Sequence, residues 1–97
     1  MKSAALIVRR DGSEEQTFEL VETETLIGRG PSADLQILDD SISREHVVVL
    51  WDGDDFAVED LQSTNGVRVN GKRVRSAPLQ HGDEIQIGQT RFVFVLH

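Results

Sequence analysis

Three short segments hold the side chains best equipped for chemistry: Gly28-Arg29-Gly30, Ser43-Arg44-Glu45-His46 and Ser63-Thr64-Asn65-Gly66. A hydroxyl with an imidazole three residues on has the composition of a nucleophile and its base, Ser43 activated by His46. A working pair also needs a third group to orient the base and an oxyanion hole beside the nucleophile, and no glycine elbow flanks Ser43. No catalytic residue is therefore assigned. His46 directly precedes the apolar run Val47-Val48-Val49-Leu50-Trp51, where an imidazole reads as a hydrogen-bonding strut that fixes its loop.

Each of the other groups has a plain structural use. Glycines around Arg29 permit tight turns, and a turn carrying a solvated arginine has the same sequence. Ser63, Thr64 and Asn65 belong to residue types that bond their own backbone in turns. The combination is more informative than the parts. If the segments meet at one end of the fold, they present an always-charged fork donor in Arg29, a second cation in Arg44, hydroxyls from Ser43 and Thr64, and the Asn65 amide. That inventory suits a dianionic phosphate with strongly accepting oxygens and an adjacent extended peptide. Proton transfer is poorly served, because His46 is the only imidazole in these segments and reads as structural.

The elements that must position these segments are strands. Apolar residues recur with period two or in short β-branched runs, and turn formers punctuate them every ~8–12 positions, the pattern of a sandwich or barrel. The candidate strands are 4–9, 15–21, 25–28, 35–37, 47–51, 56–60, 67–69, 72–74, 83–87 and 90–96, with no substantial helix. Asn70-Gly71 between two short alternating runs predicts a two-residue type I′ hairpin. The strands at 47–51 and 90–96 are apolar on both faces and should lie inside their sheets. The fold class expected is thus all-β. No linker or internal repeat interrupts the chain, so residues 1–97 are read as one domain, and with the first strand beginning within about five residues of Met1 no flexible tail carrying an intramolecular ligand is expected.

Bulk composition removes other classes. A net charge of −7 opposes a sequence-independent grip on nucleic acid, which depends on lysine and arginine neutralising phosphates. No apolar run approaches the ~18 residues needed to span a bilayer, and no signal-peptide core follows Met1. Cysteine is absent, which excludes disulfides and thiolate metal sites; no cofactor or metal is expected. A soluble, cytoplasmic monomer is the expectation. Asp39 and Asp40 share a segment with Ser43 and should disfavour acidic ligand residues nearby.

The order and spacing of Gly28-Arg29, Ser43-x-x-His46, Ser63-Thr64-Asn65-Gly66, Val69-Asn70-Gly71 and Gly82-Asp83 resemble the forkhead-associated domain over nearly the whole chain. That resemblance implies an antiparallel β-sandwich of about eleven short strands. It implies a non-catalytic module that docks onto proteins carrying a phosphothreonine made by a serine/threonine kinase. In such a module Arg29 and Ser43 would contact the phosphate, Thr64 would add a hydrogen bond, and Asn65 would hold the ligand backbone. Arg44 would supply a second cation, while Gly28, His46 and Gly66 would support the loops.

Overall fold

The computed structural model describes Met1–His97. Its elements are β1 (Ala4–Arg9), β2 (Gln16–Glu19), β3 (Glu24–Gly28), β4 (Leu35–Gln36), β5 (Val47–Trp51), β6 (Phe56–Asp60), β7 (Val67–Val69), β8 (Lys72–Val74), β9 (Ser76–Pro78), β10 (Glu84–Ile87) and β11 (Thr90–Leu96). They form a six-stranded sheet in the order β2-β1-β11-β10-β7-β8 and a five-stranded sheet in the order β4-β3-β5-β6-β9. Side chains alternate across each strand, so one set from each sheet points into the space between them. Leu6, Val8, Ile85, Ile87, Phe92 and Phe94 from the first sheet meet Ile27, Val47, Val49, Phe56 and Val58 from the second, all of them buried. Phe56 joins the layers by packing edge-on against Phe94 at 5.5 Å and against Trp51 at 5.1 Å. Burying each large apolar side chain stabilises the sandwich by roughly 1.5–3 kcal/mol before cavity effects.

The hairpin at Asn70-Gly71 forms as its sequence requires. Val69 pairs with Lys72, and both turn residues lie at positive φ, 51° and 84°. β5 and β11 are interior strands of their sheets. Three details differ from expectation. β2 is shorter than 15–21, because Val21 points into solvent at 73% exposure. β9 is an extra strand that pairs only with β6, and an edge position is where a strand ending in proline is tolerated. β4 pairs with β3 in parallel, the one departure from antiparallel pairing. Asp34 closes that short connection, its carboxylate accepting from the Leu26 N–H at 2.8 Å and its own N–H donating to the Leu26 carbonyl at 2.8 Å.

Register brings the loops together. Ile27 lies opposite Val47, and Val47 lies opposite Asp60. The residues just beyond these partners are Gly28, His46 and Leu61, so three connections leave the five-stranded sheet at one end. Hydrogen bonds draw the same line: the His46 N–H donates to the Ile27 carbonyl at 3.0 Å, and the Leu61 N–H donates to the His46 carbonyl at 2.9 Å. No helix of the chain is long and apolar enough to cross a membrane.

Candidate functional site

The loop from Ile37 to His46 lies across the end of β3. The Arg29 N–H donates to the Ser43 carbonyl at 2.9 Å, and the Gly30 N–H donates to the Arg44 carbonyl at 3.0 Å. This approach needs glycine at position 28, since a Cβ there would stand 2.1 Å from the Arg44 carbonyl oxygen. Half-buried Arg29 then directs its Nε at the Ile42 carbonyl, 3.0 Å away. One bond from Nε fixes the plane of the guanidinium, and the two terminal nitrogens form the outer edge of the fork without any carboxylate partner.

His46 is fully buried and joins the second segment to the third. Its Nδ1 accepts from the Ser43 N–H at 3.0 Å, which places the ring proton on Nε2, and Nε2 donates to the Gly66 carbonyl at 2.7 Å. Both ring nitrogens are thereby occupied by backbone, and neither meets the Ser43 hydroxyl. The histidine is the strut its position suggested. The Ser43 hydroxyl oxygen accepts instead from the Thr64 N–H at 3.1 Å and retains its own proton for a further acceptor.

Asn65 is exposed and donates through Nδ2 to the Ser41 carbonyl at 2.8 Å, leaving its amide oxygen and second N–H outward. Thr64 and Arg44 are exposed, their side chains making no hydrogen bond within the protein. Ser63 shapes the turn: its hydroxyl donates to Asp60 at 2.5 Å and accepts from the Gly66 N–H at 3.0 Å. Gly66 sits at φ 75°, buried between His46 and the guanidinium of Arg73. All three sequence segments therefore converge, with Arg29, Ser43, Thr64 and Asn65 within one hydrogen-bonded group of loops.

Two residues of this group escaped the sequence reading, and a third is placed differently from expectation. Ser41 holds Asn65 through its carbonyl, and Arg73 lies flat against Gly66 from β8. Asp39, expected to shape ligand charge preference, turns inward. It accepts from the Ser41 hydroxyl at 2.5 Å, the Ser41 N–H at 2.9 Å, the Thr90 hydroxyl at 2.9 Å and the Gln89 N–H at 3.2 Å. Burial raises its carboxyl pKa, but these donors together outweigh burial and hold it below the usual aspartate value. A short polar run such as Asp39-Asp40-Ser41 gives no local sign of which carboxylate turns in.

The model of the family described as "FHA domain" matches residues 25–88, which include every segment of this site. The glycogen accumulation regulator GarA of Mycolicibacterium smegmatis is 41% identical over 93 residues, covering 96% of this chain and 59% of the relative. The chain thus spans less than two thirds of that relative's length. An FHA domain solved in work on phosphothreonine-dependent FHA domain interactions superimposes with a TM-score of 0.89 at 35% identity, covering 98% of this chain and 97% of the other. Mycobacterium tuberculosis EmbR, solved in complex with a low-affinity phosphopeptide, aligns with a TM-score of 0.89 at 31% identity over 99% of this chain and 25% of its own. Motif spacing, strand order and relatives agree, and the chain belongs to the FHA domain family.

Proposed function

We propose that residues 1–97 act as a single, non-catalytic recognition domain that binds phosphothreonine in kinase-modified partner proteins of the cytoplasm, the compartment where ATP-dependent kinases make such ligands. The observation that carries this reading is the fixed guanidinium of Arg29, tied by Nε and with its outer edge free, beside a Ser43 hydroxyl held in place by the Thr64 N–H. Preset donors of this kind suit the oxygens of a phosphate monoester, whose charge at neutral pH is about −1.5 to −2. In this reading Arg29 and Ser43 clasp the phosphate, and the Thr64 hydroxyl adds a donor. The outward amide of Asn65 aligns the ligand backbone, and Arg44 supplies a second cation at the rim. Gly28, His46 and Gly66 hold the loops. The phosphothreonine-dependent interactions of the FHA domain cited above and the phosphopeptide on EmbR support carrying this binding mode to the present chain.

Titration of one peptide in threonine, phosphothreonine and phosphoserine forms tests the proposal. Only the phosphorylated forms should bind measurably, and Arg29→Ala should weaken phosphothreonine binding by on the order of 2–5 kcal/mol while the far-UV spectrum stays that of the folded domain. The threonine methyl is worth about 0.8 kcal/mol, or roughly fourfold over phosphoserine. A larger preference would come from the restricted χ1 of a β-branched side chain. Equal affinity for the unphosphorylated peptide would replace this reading by that of a phosphate-independent docking domain.

A further inference from the structure

The solvent face of the six-stranded sheet carries a row of arginines that leads to the site. Register sets Arg9 opposite Arg91, Arg91 opposite Gln86, Gln86 opposite Arg68, and Arg68 opposite Arg73. Paired residues share a face, so these side chains form one line across β1, β11, β10, β7 and β8. Like charges directly opposite one another destabilise a sheet, and two of these pairs are arginine against arginine. The distant end of the row is compensated, with Glu15 2.7 Å from Arg9 and Glu84 3.8 Å from Arg91. The near end is not: Arg68 reaches only the Gly71 carbonyl at 3.4 Å, and neither Arg68 nor Arg73 forms a salt bridge.

Arg68 lines a wholly polar depression of about 200 Å³ that opens beside Asn65, with Ser41, Gln86 and Gln89 on its other walls. Through Gln86 and Gln89 this depression continues into a larger polar trough where Arg9, Arg10 and Arg91 are matched by Asp11, Glu15 and Glu84. Asp39 and Asp40 border a neighbouring depression that shares the Ser41 and Gln89 walls, and there the Asp39 carboxylate is already engaged by four donors. The one charged side chain lining the depression beside Asn65 is Arg68, in a protein of net charge −7.

We infer that the ligand is an acidic phosphopeptide, with a carboxylate side chain near the phosphothreonine seated over Arg68. The inference rests on the phosphothreonine reading above and adds to it the chemistry of the flanking sequence. A carboxylate over an exposed arginine is screened by water and salt, so the contact is expected to contribute up to about fivefold in affinity, less at high ionic strength.

A positional scan gives the test. A phosphothreonine peptide with neutral flanks is compared with versions carrying glutamate at each of the four positions on either side, against wild type, Arg68→Gln and Arg91→Gln. On one side of the phosphothreonine, glutamate should tighten wild-type binding by about two- to fivefold. Arg68→Gln should abolish the gain, Arg91→Gln, whose charge Glu84 already meets, should leave it unchanged, and both variants should bind the neutral peptide within about twofold of wild type. Glutamate that gives no gain at any position overturns the inference, as does an Arg68→Gln variant that loses affinity equally for neutral and acidic peptides. Failure of the phosphothreonine reading itself looks different: the neutral phosphopeptide does not bind wild type, and the inference falls with it.

Discussion

His46 links the two loops that carry Ser43 and Gly66, and its removal leaves a half-buried N–H and a buried carbonyl without partners. An unsatisfied buried group costs about 1–3 kcal/mol, a large part of the ~5–15 kcal/mol that stabilises a domain of this kind. His46→Phe, which keeps a ring but removes both polar atoms, should lower stability by about 2–4 kcal/mol in denaturant unfolding. Its phosphopeptide affinity should also fall when measured well below its melting temperature, since the Ser43 and Gly66 backbones are no longer tied. Wild-type stability would show that the strut does not hold the loops. The roles open to Arg29, Ser43 and Asn65 were legible in the sequence because a guanidinium, a hydroxyl and an amide carry their chemistry with them. Ser41, Arg73 and Asp39 were not legible. Ser41 acts through a main-chain carbonyl that every residue has, and Arg73 matters only because β8 lays it on Gly66.

Strand identity followed from alternation, and the Asn70-Gly71 turn followed from its demand for positive φ. Elements whose existence depends on a neighbour were harder to read. β9 has only Ser76-Ala77-Pro78 to announce it and exists because β6 offers an open edge, while the parallel pairing of β4 depends on the Asp34 carboxylate folding back onto Leu26. The loop between β4 and β5 is a further case, since Asp39 fastens it to the turn between β10 and β11 through Gln89 and Thr90. Because the folded state lowers the Asp39 pKa, the stability it adds is fully present above the unfolded value, ~3.9, and is lost as pH falls through the lower folded value. Asp39→Asn should cost about 1 kcal/mol near neutrality, or roughly 4–8 °C in melting temperature, with the gap to wild type closing as pH falls below the unfolded aspartate value. Melting curves from pH 7 to pH 2.5 check this. A gap that stays constant to the lowest pH would mean that shape, rather than charge, holds the staple.

Charge is unevenly divided over the molecule. The whole carries −7, yet Arg29, Arg44, Arg68 and Arg73 lie at or beside the end that bears the converging loops. On the proposed reading, a dianionic ligand is therefore repelled by the protein as a whole and attracted by the surface that would receive it. Ionic strength separates the two effects by range. At ~0.01 M the Debye length is ~30 Å, comparable to the molecular extents of 33 × 29 × 27 Å, so an approaching phosphopeptide senses the distant carboxylates. At ~0.15 M it is ~8 Å, and the near arginines dominate. Association with a neutral-flanked phosphothreonine peptide should hence stay level or quicken as salt rises over this interval, opposite to the slowing of complexes steered by net attraction. Any weakening of affinity should appear in the dissociation rate, where the direct contacts to the phosphate are screened. Stopped-flow binding at several salt concentrations distinguishes these cases. An association rate falling tenfold across the interval would mean that the arginine-bearing end governs approach even at long range.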